Sequence, residues 1–164
     1  AFPCKTDCFT SSVISELRKM YYSTLKPEII KGDVIVHIRR GDIARILIKN
    51  GKPVYGSNRC IKLDYFKRKI IEIQNKNEKK LKFIIFSQGN KDNFNDLLIP
   101  DYDIELQLNT ELKQTFHSMV EAPILVLSPS MLSITTAILN IGEIHYYEWG
   151  AFSPPLKHWY KDKL

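Results

Sequence analysis

The fold is organised around one stretch of sequence, Val34-Ile35-Val36-His37-Ile38-Arg39-Arg40-Gly41-Asp42. Its apolar, β-branched first half is typical of a strand that is buried on both faces, as in a parallel sheet. Two arginines follow directly, so this strand would deliver two guanidinium groups to its carboxyl end. Ligands of open α/β sheets bind at that edge, and guanidinium groups pair well with phosphate oxygens. Gly41 lets the backbone turn tightly or approach a ligand closely.

Helix and strand patterns alternate along the rest of the chain. In the first helix, for example, Val13, Leu17 and Met20 or Tyr21 share one face. We predict further strands at 83–86, 104–108, 124–127 and 144–147, and helices at about 11–23, 65–75, 92–98, 110–121 and 131–140. Alternation of this kind predicts a parallel sheet with helices on both of its faces.

The length of 164 residues fits one domain. We therefore predict a single α/β, Rossmann-like domain over residues 1–164, with a lead-in and helix at 1–30 and a tail at 150–164 that packs on it. Strict alternation at 104–108 indicates a strand with one exposed face or at a sheet edge. The turn-rich segment 42–60 is typical of a functional loop or an excursion from the sheet.

Composition narrows the function classes. The net charge of +6 suits an anionic ligand. Nucleic acid is disfavoured as a partner, because the basic cluster near residue 80 has no interleaved aromatic residues and no known binding motif beside it. No apolar run reaches 18 residues, so we expect no membrane span. With no signal-peptide pattern at the start, we favour the cytoplasm and leave the Golgi lumen open if the chain is a fragment.

A second group of candidate residues follows the predicted strand at 124–127. Ser128, Ser130 and Ser133 lie between that strand and a helix, and Ser130 is a plausible N-cap. A helix start presents N–H groups and the positive end of a dipole, which together attract phosphate. Both features that could bind an anion, the arginine pair and the helix start, follow apolar strands. We therefore expect them to converge on one diphosphate, although the serines alone could simply cap the helix.

Three segments carry a family resemblance, in the family's order. The segment His37-x-Arg39-Arg40-Gly41-Asp42 resembles the H-x-R-R-G-D signature of the α1,2-, α1,6- and protein O-fucosyltransferase superfamily. Phe86-Ser87-Gln88-Gly89 resembles the family's intermediate segment, although an acidic residue is usual at the position of Gln88. Thr115 to Leu127 followed by Ser128-x-Ser130-x-x-Ser133 is similar to the late motif. Pro123 and Pro129 depart from it.

The resemblance implies a metal-independent, GT-B-type glycosyltransferase with no cofactor, which would transfer fucose from GDP-fucose to a glycan hydroxyl with inversion. This chain would be the donor-binding half, and the acceptor half would be separate, reduced, or supplied by 1–30 and 42–60. The catalytic candidates are Arg39, Arg40 and, as a weak candidate base, Asp42. The donor-binding candidates are His37, Gly41, Ser87, Gln88, Gly89, His117, Ser128, Ser130 and Ser133. For His37 we also expect a structural hydrogen bond.

Other interpretations stay open. The donor could be another nucleotide sugar such as UDP-xylose, or the domain could be a non-catalytic nucleotide- or glycan-binding module. Asp101-Tyr102-Asp103 matches the D-x-D pattern that holds a divalent ion in metal-dependent glycosyltransferases, but it also fits an ordinary turn before a strand. The chain contains no P-loop, G-x-G-x-x-G, G-x-S-x-G or H-E-x-x-H motif, which disfavours the common nucleotide-hydrolase, dinucleotide, hydrolase and zinc-protease classes.

Overall fold

A computed structural model of the chain describes residues 9–44, 46–49, 52–55, 60–147, 156 and 159–162. Its α-helices are α1 Ser11–Tyr22, α2 Leu63–Asn75, α3 Leu112–Val120 and α4 Met131–Leu139. Its strands are β1 Val34–His37, β2 Ile46–Lys49, β3 Lys52–Tyr55, β4 Lys82–Ser87, β5 Asp103–Leu108, β6 Ile124–Val126, β7 Glu143–Tyr147 and β8 Tyr160–Asp162. Two 3-10 helices span Gly41–Ala44 and Lys91–Leu97.

Six strands form one parallel sheet in the order β5-β4-β1-β6-β7-β8. Strand β1 is central, and its Val34 pairs with Phe83 of β4 and Ile124 of β6. With the separate β2–β3 hairpin left out, this is the doubly wound order 3-2-1-4-5-6, in which the chain reverses direction across the sheet between β1 and β6. The predicted α/β, Rossmann-like parallel sheet is confirmed, and its switch point lies beside the arginine pair.

Each face of the sheet covers a separate hydrophobic core. On one face, Val34, Val36 and Ile38 pack with buried residues of α2 and of the Lys91–Leu97 helix. On the other, Ile35 packs with buried residues of α1, α3 and α4. Because side chains alternate between the faces of a strand, β1 must be apolar at successive positions to fill both cores. The predicted helices on both faces are confirmed.

The edges of the sheet match the sequence only in part. Strand β5 lies at one edge, as its alternating pattern predicts. At the other edge, β8 pairs with β7 in the tail, where no strand was expected. Its three residues, Tyr160–Asp162, are too short and too polar to give a strand signal. Residues 1–8 and most of the tail lie outside the described part of the chain.

The segment 42–60 contains an antiparallel hairpin, in which β2 pairs with β3. The excursion predicted there therefore has regular structure of its own. None of the helices in the described ranges combines the length and the apolar character that crossing a bilayer requires.

Candidate functional site

A cavity of about 110 Å³ lies at the carboxyl edge of the sheet, beside the switch point. Its walls come from the ends of β1 and β4, the loop after β5, and the first turns of α3 and α4. The lining residues are His37, Ile38, Arg39, Arg40, Phe86, Ser87, Gln88, Thr110, Leu112, Thr115 and Leu132. Sites for whole small molecules usually enclose roughly 300–1,000 Å³. This cavity therefore suits part of a ligand, such as a phosphate group.

The two segments expected to converge are in contact. The Arg39 backbone N–H donates to Ser128 Oγ at 2.9 Å, which joins the residues after β1 to those after β6. The Ser128 N–H donates in turn to Ser133 Oγ at 3.2 Å. This network draws the start of α4 against the end of the central strand, and Leu132 of α4 reaches the cavity wall.

Ser130 caps α4 as predicted, since its Oγ accepts from the backbone N–H of Ser133 at 3.1 Å. The three serine hydroxyls lie inside the protein in this arrangement. Ser128 and Ser133 have no exposed surface and Ser130 has 8%. All three hydroxyls are engaged in hydrogen bonds within the protein. In this structure the three serines hold the cavity wall in place, and their donor-binding role stays a prediction.

His37 is buried and shares a 2.6 Å hydrogen bond between its Nδ1 and Ser133 Oγ, so the expected structural hydrogen bond is confirmed. Burial, and then the neighbouring Arg39 guanidinium, lower the pKa of His37 to about 4. The ring is therefore neutral at pH 7, and the arginines carry the positive charge of this wall.

The loop after β4 forms the opposite wall. Gly41 has a φ of +72°, and a Cβ there would overlap the side-chain carbonyl of Gln88. Gly41 thus permits the predicted tight turn and a close contact with Gln88, and its approach to a ligand stays a prediction. Ser87 donates its hydroxyl to Ile38 O at 2.8 Å, which ties β4 to the end of β1.

Asn109 holds this loop from the neighbouring strand. Its side chain accepts from Gly89 N and donates to Gly89 O, both at 3.1 Å. Its own N–H donates to Ser87 O at 2.9 Å. Sequence reasoning missed Asn109, Thr110 and Thr115. The first two follow directly after β5, and their position at the carboxyl end of a strand was the available signal.

His117 faces away from the candidate site. Its Nδ1 shares a 2.7 Å hydrogen bond with the Tyr21 hydroxyl of α1, and it is not among the cavity-lining residues. Burial, and then the ammonium groups of Lys113 and Lys26, lower the pKa of His117. In this structure His117 joins α3 to α1, and its donor-binding role stays a prediction. Thr115, two residues earlier, lines the cavity instead.

The candidate base is not defined. Asp42 begins a 3-10 helix with Gly41, but its side chain lies outside the described part of the structure, so its role stays a prediction. The described cavity wall contains no carboxylate. Asp101 and Asp103 are exposed at the amino end of β5, on the opposite edge of the sheet. Among the described residues, no group of three or more His, Cys, Asp or Glu side chains is arranged to hold a metal ion.

Comparisons with known proteins give structural matches only. No family model matches the sequence, and no curated protein matches it. Among solved structures, POFUT1 in complex with GDP is similar at 17% identity and a TM-score of 0.45, over 83% of this chain and 46% of that one. POFUT1 in complex with GDP-fucose is similar at 18% identity and a TM-score of 0.43, over 85% and 46%. The chain thus spans about half the length of these proteins.

Proposed function

We propose that this domain binds the diphosphate of a nucleotide sugar at the carboxyl edge of its sheet, as the donor half of a glycosyltransferase. One observation carries the proposal: Arg39 is joined to Ser128 across the switch point, beside a cavity with a cationic wall. Both sides of this junction can attract an anion, one through a guanidinium group and the other through the start of α4.

The proposed chemistry is electrostatic stabilisation of a leaving group. The acceptor hydroxyl attacks C1 of the donor sugar, and the bond from C1 to the diphosphate oxygen breaks with its electron pair on the diphosphate. The Arg39 guanidinium then stabilises the growing negative charge, as preorganised cations do in other transferases. The hydroxyl proton passes to a base, which inversion requires on the acceptor side. We propose no metal ion or cofactor for this step.

GDP-fucose is the proposed donor because the signature from His37 to Asp42 resembles that of the fucosyltransferase superfamily. A UDP sugar such as UDP-xylose is the alternative donor. The proposed acceptor is a glycan hydroxyl, presented by an acceptor domain outside the described residues.

Thermal unfolding in the presence of nucleotides tests this proposal. A ligand that binds only the native state stabilises it by about 2.7 kcal/mol at a concentration 100 times its Kd. We expect GDP and GDP-fucose to raise the Tm more than UDP, and GMP to do so less, because GMP lacks the diphosphate. A rise with UDP alone would move the donor to the UDP class. No rise with any of these nucleotides would contradict the proposal.

A non-catalytic nucleotide-binding module is the second candidate. It is favoured by the absence of a carboxylate from the described cavity wall. Release of free fucose or fucosylated acceptor from GDP-fucose, measured where GDP binds, separates the two. Activity supports the transferase, whereas GDP binding without turnover on any glycan acceptor supports the module.

A further inference from the structure

The two arginines of the signature have different surroundings. Arg40 directs its guanidinium at two backbone carbonyls: Nη1 donates to Arg39 O and Nη2 donates to Ile61 O, both at 2.9 Å. Ile61 lies 21 residues further along the chain, is buried, and comes just before α2. Arg40 therefore connects the end of β1 to the start of α2, across the segment that contains the β2–β3 hairpin.

These contacts fix the backbone of Arg39 on both sides. Its N–H donates to Ser128 Oγ and its C=O accepts from Arg40 Nη1, each at 2.9 Å. A residue whose N–H and C=O are both held has little freedom to rotate about its flanking peptide groups. Its side chain therefore leaves the backbone in a fixed direction, beside the cavity that it lines.

We propose that Arg40 is a positioning residue: it clamps the Arg39 carbonyl and the start of α2 together so that Arg39 is preorganised for the diphosphate, which Arg40 itself does not contact. This inference rests on the proposed function. It gives the two arginines different roles: Arg39 binds the diphosphate, and Arg40 positions Arg39.

The proposed role of Arg40 depends on the shape of its guanidinium group more than on its charge. A guanidinium group is a planar fork that can reach two carbonyl oxygens at once, whereas a lysine ammonium is a compact point charge on a flexible stem. Lysine at position 40 would keep the positive charge beside the cavity and lose the fork. If Arg40 served the diphosphate by charge alone, lysine would be an adequate replacement.

Calorimetric titration of GDP into four variants tests the proposal. The variants are Arg40→Ala, Arg40→Lys, Arg39→Ala and Arg39→Lys, each titrated well below its Tm, with the fold checked by circular dichroism. We expect Arg40→Ala and Arg40→Lys to weaken GDP binding about equally, by roughly three- to tenfold. We expect Arg39→Lys to retain more affinity than Arg39→Ala, because charge matters where the phosphate is bound. Should Arg40→Ala fail to fold, Arg40→Gln, which can still donate to one carbonyl, replaces it in the comparison.

The outcomes are distinct. GDP affinity near the wild-type value in Arg40→Lys, with a loss in Arg40→Ala, overturns the positioning role and makes Arg40 a phosphate ligand. Wild-type affinity in every Arg40 variant, with only a lower Tm, reduces Arg40 to a structural residue and also overturns it. In both results the proposed function stands. No GDP or UDP binding by the wild-type protein overturns the proposed function and this inference together.

Discussion

Charged side chains are arranged differently at the two edges of the sheet. At the amino edge, charged groups neutralise one another: Asp33 accepts from Lys79 Nζ at 2.8 Å and from Lys82 N at 2.9 Å, and Lys82 pairs with Glu105 at 2.9 Å. At the carboxyl edge, Arg39 and Arg40 line a cavity whose described wall contains no carboxylate.

We propose that this difference separates charges that stabilise the fold from charges that bind a ligand. The amino-edge pairs are partly exposed and join neighbouring strands, so the chain itself supplies their counter-ions. Arg39 and Arg40 line a cavity of about 110 Å³, in which we propose that an anion binds.

The first prediction concerns the buried junction at His37. Its pKa is lowered to about 4, so the unfolded chain binds this proton more readily than the folded one between pH 6.5 and 4. The free energy of unfolding should therefore fall as the pH drops through that window, by about 3 kcal/mol from this group alone. Urea unfolding of the wild type and His37→Gln at pH 4 to 7 measures the effect. The difference between the two proteins must change with pH, and a constant difference would contradict the prediction.

The second prediction compares a cation at each edge. Arg39→Ala should weaken GDP binding by at least about tenfold, or 1.4 kcal/mol, because it removes a charge-assisted contact to the diphosphate. Lys80→Ala is the matched control, since it removes one positive charge from an exposed position just before β4. Calorimetry should give Lys80→Ala a wild-type GDP affinity. Equal losses in both variants would mean that only the net charge matters.

The third prediction concerns the wall that Asn109 supports. Asn109 has a φ of +58°, so alanine there would lose the side-chain hydrogen bonds and strain the backbone, at about 1–2 kcal/mol. Asn109→Gly would lose the same hydrogen bonds without the strain. Chemical denaturation should therefore rank the wild type above Asn109→Gly, and Asn109→Gly above Asn109→Ala. The reverse order for the two variants would show that the backbone conformation carries no cost.

The smallest effect is expected at the amino edge. Lys79→Ala removes an ion pair whose side chains are 69% and 36% exposed for Lys79 and Asp33. Such pairs contribute less than about 1 kcal/mol, and salt screens them. We expect a slight loss of stability that disappears in high salt, with unchanged GDP affinity. A change in GDP affinity would remove the distinction between the two edges.

Much of the fold could be predicted from sequence, because the signals are local. The four residues of β1 are all buried, and the apolar residues of β5, Ile104, Leu106 and Leu108, pack against one core from a single face of their strand. The tail strand β8 could not be predicted, since its pairing with β7 depends on distant residues. Its three residues carry too short a pattern.

The orientation of α1 could not be predicted from local sequence patterns either. The apolar spacing of Val13, Leu17 and Met20 or Tyr21 predicts the helix, yet Val13, Leu17 and Met20 are 42%, 38% and 61% exposed and only Tyr21 of this set is half-buried. The helix turns Arg18 and Tyr21 inward, because their polar ends bond to the last turn of α4 and to His117 of α3. Because these partners lie more than 90 residues away in the sequence, the spacing of apolar residues in α1 does not reveal them.

The candidate site was predicted in its location more than in its contacts. Arg39 and Ser128 meet as expected, because both follow strands that lie side by side. Sequence could not tell that the serine hydroxyls face inward or that Arg40 reaches Ile61, since both depend on side-chain directions in the folded chain.

The claim that Arg39 binds the diphosphate can be checked in a crystal structure of the protein with bound GDP. We expect the diphosphate beside the start of α4, with its oxygens within hydrogen-bonding distance of the Arg39 guanidinium. A diphosphate bound at the amino edge of the sheet, or at the carboxyl edge with no contact to Arg39, would contradict the claim.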